Sequence, residues 1–207
     1  MRKVFLSSML LQKARPTKYI SDDYELVQAD FAFPLTYIIA AEAADGDEIV
    51  VVTAAMTEPL ATQDALDNNA AYKEEIKRAL KEKDIKLSFI DIPLEKDYDA
   101  LTFNRFFRQV ADLIQDDDRL YADITFGIKP YSFSMFIAIT YAVKAARNVS
   151  LETVIYARKY DGTEVPDNVN TSKICDLTSL FSLNLLVSSA REGQKQGLDD
   201  LLDFIID

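Results

Sequence analysis

Histidine is missing from this 207-residue chain, and cysteine occurs once, at Cys175. The first absence removes a Ser-His-Asp triad, an imidazole acid or base and every His metal ligand. The second removes an intramolecular disulfide and a structural Cys/His zinc site. With no histidine to activate it, Cys175 reads as a small buried hydrophobe, and a lone reduced thiol fits a cytoplasmic location. No apolar run reaches the length of a membrane span: the apolar start Val4–Leu11 is interrupted by Ser7 and Ser8, and no small-residue cleavage site follows it. There is no Walker A loop and no G-x-G-x-x-G, which argues against an ordinary ATPase or dinucleotide enzyme. No metal or cofactor is expected either, since the acidic run Asp116–Asp118 reads as a solvated turn rather than converging ligands.

What is present is an ordinary globular balance, 49% apolar and 28% charged, enough for one generous domain. The net charge of −11 argues against duplex nucleic acid and anionic membranes as partners. Its distribution says more. Met1–Ser21 holds no acid but carries Arg2, Lys3, Lys13, Arg15 and Lys18, and Ile124–Leu151 holds no acid but carries Lys129, Lys144 and Arg147. Two positive islands in an acidic chain suit a focused site for a compact anion.

Short apolar runs alternate with longer amphipathic ones, which predicts an α/β fold with a mostly parallel, Rossmann-like sheet flanked by helices. Strands are expected at Lys3–Ser8, Glu48–Thr53, Ile85–Ile92, Arg119–Thr125, Ser150–Ala157 and, shorter, Ile174–Leu177. Helices are expected at Phe33–Ala44, Asp64–Lys83, Thr102–Gln115 and Tyr131–Arg147. In the third of these, Phe103, Phe106, Phe107, Val110 and Ile114 form the inward stripe. A polar turn is expected around Asp161–Gly162. The organisation expected is a domain over 1–178 and a C-terminal helical extension over 179–207, packed on it and broken near Gly193–Gly197.

In open parallel sheets, ligands gather beyond the carboxyl ends of the strands. Two strand ends here have suitable chemistry. The first runs into Ser7–Ser8–Met9–Leu10 and then the basic stretch Lys13–Ala14–Arg15. The other runs into Thr125–Phe126–Gly127–Ile128–Lys129–Pro130 and straight into a helix, whose start offers free N–H groups to a phosphate. Gly127 permits a close approach of backbone, Lys129 supplies a point charge, and Thr125, Ser7 and Ser8 supply hydroxyls.

The segment Asp123–Pro130 (DITFGIKP), lying between an apolar strand and a helix, resembles the second motif of CARF domains, the CRISPR-associated Rossmann-like sensors. The opening KVFLSSMLLQKARPTKY is similar to their first motif, a strand ending in small hydroxyl residues, and Val154–Ala157 and Asp176–Leu180 also follow the pattern. The resemblance implies a homodimer that binds a cyclic oligoadenylate, with cyclic tetra-adenylate favoured, in type III CRISPR antiviral signalling. It implies Ser7, Ser8 and Met9 in one binding loop and Thr125, Phe126, Gly127 and Lys129 in the other, with Met9, Phe126, Tyr19 or Tyr131 as shelves for adenine. Three readings stay open: a stand-alone sensor acting through a separate effector, the sensory domain of a fused effector, or a metal-independent ring nuclease. In the last, Ser8 would orient the attacking 2′-hydroxyl and Lys129 would stabilise the phosphorane. A further alternative from another class is an ordinary Rossmann-like nucleotide-binding regulatory protein, which would bind AMP as well as a ring.

Overall fold

Strands that are apolar on both faces must be covered on both faces, and the chain supplies helices for each. The computed structural model describes residues 1–15, 17–95, 99–159, 170–189 and 197. In chain order the elements are β1 (Arg2–Ser8), β2 (Lys18–Ser21), α1 (Pro34–Glu42), β3 (Glu48–Ala55), α2 (Gln63–Ala79), β4 (Lys86–Pro93), α3 (Ala100–Leu113), β5 (Arg119–Asp123), α4 (Lys129–Ala145), β6 (Ser150–Lys159), β7 (Thr171–Asp176) and α5 (Thr178–Ser189). The strands form one sheet in the order β2-β7-β6-β5-β1-β3-β4, parallel at every pair except β6–β7. This is the α/β, Rossmann-like architecture expected from the sequence, with one strand more. The four-residue β2 has too short a pattern to be read locally, and it exists by pairing with β7.

Successive side chains alternate between the two faces. Val4 and Leu6 join Val50, Val52, Leu120 and Val154 in a core beneath α3 and α4, to which α5 adds Phe181. Phe5 joins Ile49, Val51, Tyr121 and Ile155 beneath α1 and α2. Of the aromatic stripe expected on α3, Phe106 and Val110 are buried, whereas Phe103 and Phe107 are only half-buried. The N-cap residue of α1, Phe33, has no side chain able to cap. Glu75 of α2 does it instead, accepting from the N–H groups of Ala32 (2.6 Å) and Phe33 (3.2 Å) and from the Thr36 hydroxyl (2.8 Å).

Three local expectations need correction. Asp118 is not solvated: it is fully buried and pairs with Arg2, 116 positions away in the chain. Cys175 is half-buried rather than buried, with its thiol 3.8 Å from the Lys173 carbonyl oxygen. Tyr131 is no shelf; it is buried, and its hydroxyl donates to the Glu95 carbonyl and accepts from the Glu95 N–H, both at 3.2 Å. The turn expected at Asp161–Gly162 lies outside the described residues, as does the Gly193–Gly197 stretch apart from Gly197 itself. Among the described residues, no helix is long and apolar enough to cross a membrane.

Candidate functional site

Apart from the excursion to the edge strand β2, the chain places β3 and β4 on one side of β1 and then returns to place β5 on the other. The strand order therefore reverses between β1 and β5, where Rossmann-like sheets open a crevice at their carboxyl ends. In register there, Ser7 lies beside Thr53 on one flank and Asp123 on the other. The chain then leaves Ser8 and has to reach β2, which begins at Lys18 on the far edge, as a strap of which residues 9–15 and 17 are described. Four strand spacings of about 4.8 Å separate the two, roughly 19 Å. This strap crosses the sheet's carboxyl end, and a cavity of about 780 Å³ opens against it. A volume of that size is in the range of small-molecule sites.

The strap contributes Leu10, Gln12, Lys13, Ala14, Arg15 and Thr17 to the wall. Tyr19 and Ala32 continue it, Thr125 and Phe126 close it from the β5–α4 connection, and Ala157, Asn170 and Ser172 close it from β6 and β7. Among the described residues, no carboxylate lines the cavity, although acids outnumber bases by 34 to 23 in the chain. Lys13 and Arg15 have no carboxylate partner among the described residues. The wall thus presents two uncompensated cations, two aromatic rings and several neutral polar groups, a composition suited to a phosphorylated, ring-bearing ligand.

The residues singled out from the sequence divide. Thr125 and Phe126 line the cavity. Phe126 is held edge-on to Phe33, ring centroids 6.4 Å apart. The Thr125 hydroxyl accepts from the Ala157 N–H at 2.8 Å, and the Thr125 N–H donates to Asp123 Oδ1 at 2.8 Å, so this residue fastens the loop to β6 and β5. Tyr19, one of the shelf candidates, also lines the cavity, and its hydroxyl donates to the Ala32 carbonyl at 3.1 Å. Ser7, Ser8, Met9, Gly127 and Lys129 do not form part of the wall. Met9 is buried in the core beneath α1 and α2, its N–H on the Ala54 carbonyl at 2.9 Å.

Ser8 and Gly127 are brought together, but against each other. Gly127 sits at φ +86°, and a methyl group there would come within 2.4 Å of Ser8 Cβ. The glycine is required for this contact between the two loops. The hydroxyl of Ser8 is buried without a hydrogen-bond partner. Lys129 is exposed at the first turn of α4, where it was expected, with its ammonium 5.6 Å from the ring centroid of Tyr156 on β6.

Asp123 opens the DITFGIKP segment, and nothing in the sequence assigns it a role. It is 3% exposed at the last position of β5, and no cation pairs with it among the described residues. Burial drives its carboxyl up to about 6, even though the Thr125 hydroxyl and N–H oppose the shift by bonding to the charged form. Its charge in turn helps raise Tyr19 and Tyr72, whose phenols burial already pushes far above their usual range. Lys13 and Arg15 were visible as a basic stretch, and what singled them out was the acid-free window. Gln12, Asn170 and Ser172 carried no signal in the sequence, because the strap and the β6–β7 hairpin meet only in three dimensions.

No protein-family model matches the chain, and no curated protein matches it. Among the described residues, no group of three or more Cys, Asp or Glu could hold a metal ion.

Proposed function

We propose that the chain binds a phosphate-rich nucleotide in the strap cavity, and that the nucleotide is a cyclic oligoadenylate shared by two copies of the chain. The observation that carries this reading is the cavity wall itself, where among the described residues Lys13 and Arg15 are unpaired and no carboxylate appears, in a chain of net charge −11. A low-dielectric cleft of one sign focuses potential and attracts an anion against the field of the protein as a whole. Tyr19 and Phe126 supply surfaces on which bases stack. The resemblance of KVFLSS and DITFGIKP to CARF motifs supplies the ligand class.

Sharing follows from α4. Phe133 (66% exposed), Ile137 and Tyr141 recur every four residues along it, and Lys129 precedes them by four. These positions share one helix face, so a second copy docked there covers the apolar stripe and sets the two Lys129 residues near the symmetry axis. The Ser8 hydroxyl, closed off by Gly127, gives no support to a nucleophile-orienting role, so sensing is favoured over turnover.

Incubation with labelled cyclic tetra- and hexa-adenylate, read by gel shift and by mass spectrometry of the products, separates binding from cleavage. The expected result is a retained, intact ring on a dimeric protein, with AMP binding far more weakly. AMP binding as tightly as either ring would favour the ordinary nucleotide-binding alternative and defeat the shared-ring reading.

A further inference from the structure

The described residues of the strap that carries Lys13 and Arg15 form no helix or strand, yet its first half is held by a single buried side chain. Asn68 on α2 is 5% exposed. Its Nδ2 donates to the carbonyl of Leu10 at 2.9 Å and to that of Gln12 at 2.7 Å, while its Oδ1 accepts from the N–H of Ala14 at 3.3 Å. These are alternate residues of the segment. One amide plane therefore grips two carbonyls and one N–H in succession, using both of its donors and its acceptor. The Thr62 hydroxyl adds a bond to the carbonyl of Leu11, between them, at 3.3 Å.

No other asparagine or glutamine among the described residues makes three hydrogen bonds to one segment of backbone. Aspartate could accept from Ala14 but would set a carboxylate against two carbonyl oxygens. Alanine would leave all three backbone groups without their partner.

We infer that Asn68 is the positioning residue of the cavity, fixing residues 10–14 so that Lys13 and Arg15 stand preorganised at its wall. The inference rests on the reading of the cavity as an anion site. Without the clamp the two cations remain on the chain but sample many positions, and their ordering is charged against ligand binding. Asn68 never touches the ligand, and its effect passes entirely through the strap.

The test is calorimetry with cyclic tetra-adenylate on the full chain, comparing wild type with Asn68→Ala and Asn68→Asp, each also in a Lys13→Ala/Arg15→Ala background. Asn68→Ala is expected to weaken binding about tenfold, because part of the ordering of the strap then falls on the ligand. Asn68→Asp should weaken it further and flatten its dependence on salt. In the background lacking both cations, neither change should matter, because coupled residues are not additive. Equal affinity in Asn68→Ala, or the same loss in both backgrounds, overturns the inference. If Asn68→Ala does not fold, the near-isosteric Asn68→Asp carries the comparison.

If wild type binds no cyclic tetra-adenylate, it is the proposed function that fails. The same variants are then compared with inorganic tripolyphosphate, and by hydrogen exchange at the Ala14 amide. Protection of that amide should drop about fivefold in Asn68→Ala, which no longer accepts from it, as expected for a lost bond of about 1 kcal/mol. Unchanged protection would show that Asn68 does not hold the strap.

Discussion

The two ends of the central strands treat charge in opposite ways. At the amino end, Arg2 pairs with buried Asp118, and Lys3 lies 2.8 Å from Asp47, which also meets the N-terminal ammonium at 3.2 Å. Burial pushes the Asp47 carboxyl up, but bonds from Lys3, the Ala44 N–H and the N-terminus hold it below its usual value. Arg2, Lys3 and the N-terminal ammonium thus each have a carboxylate partner within the chain. At the carboxyl end, among the described residues, Lys13 and Arg15 face a cavity without a counterion, the hydroxyls of Ser8 and Thr53 are buried without partners, and Asp123 is buried without a cation. The first acid-free window is thus two things. Arg2 and Lys3 close the fold, and Lys13 and Arg15 leave a charge for something else to satisfy.

Breaking the amino end should have the largest effect. Arg2→Ala strands the buried Asp118 carboxylate, and such a loss costs about 3–5 kcal/mol. Chemical denaturation should show that fall in stability, while the affinity of the folded fraction for an anion stays as in wild type. A drop in affinity with stability intact would erase the distinction between the two ends.

At the carboxyl end the expected change has the opposite sign. The folded carboxyl of Asp123 titrates near 6 against an ordinary value of 3.8, so the folded state holds this proton more tightly than the unfolded one. Stability from this group is therefore full below about pH 4, falls as pH rises towards 6, and is flat beyond, a loss of about 3 kcal/mol. Asp123→Asn should remove that slope and, at pH 8, stabilise the protein by up to about that amount. A variant destabilised at pH 8 would mean that the carboxylate is compensated in a way its surroundings do not reveal. A carboxyl that costs stability at neutral pH and is bonded to Thr125 of the cavity wall belongs to the class of groups found at functional sites.

Gly127→Ala sharpens the comparison in a smaller way. The left-handed φ and the 2.4 Å approach to Ser8 Cβ act together, for a cost of about 2 kcal/mol. Thermal denaturation should show it. An unperturbed melting temperature would mean that the β1 and β5 loops are not interlocked.

Much of this was legible in the sequence. Strands such as EIVVVT announce themselves because central parallel strands are apolar on both faces, and the helix boundaries fell within a few residues because Pro34 and Pro130 mark first turns. The carboxyl-end location was legible as well, through the two acid-free windows. What was hidden was non-local. An Asp-Asp-Asp run looks solvated until Arg2 arrives from the other end of the fold, and Ser8 looks available until Gly127 packs on it. The strap could not be read because β2 has only four residues, and with β2 unseen the stretch before it looked like an ordinary loop.

The most direct measurement is calorimetric titration of cyclic tetra-adenylate into wild type and into Lys13→Ala/Arg15→Ala at one fixed, low salt concentration. Two charge-assisted contacts at about 1.5 kcal/mol each predict a loss of roughly 100-fold in affinity. Stability should remain within about 0.5 kcal/mol of wild type, since neither cation has a partner within the described structure to lose. Equal affinity in the two proteins, or no binding heat in wild type, would contradict the assignment of the strap cavity as the ligand site.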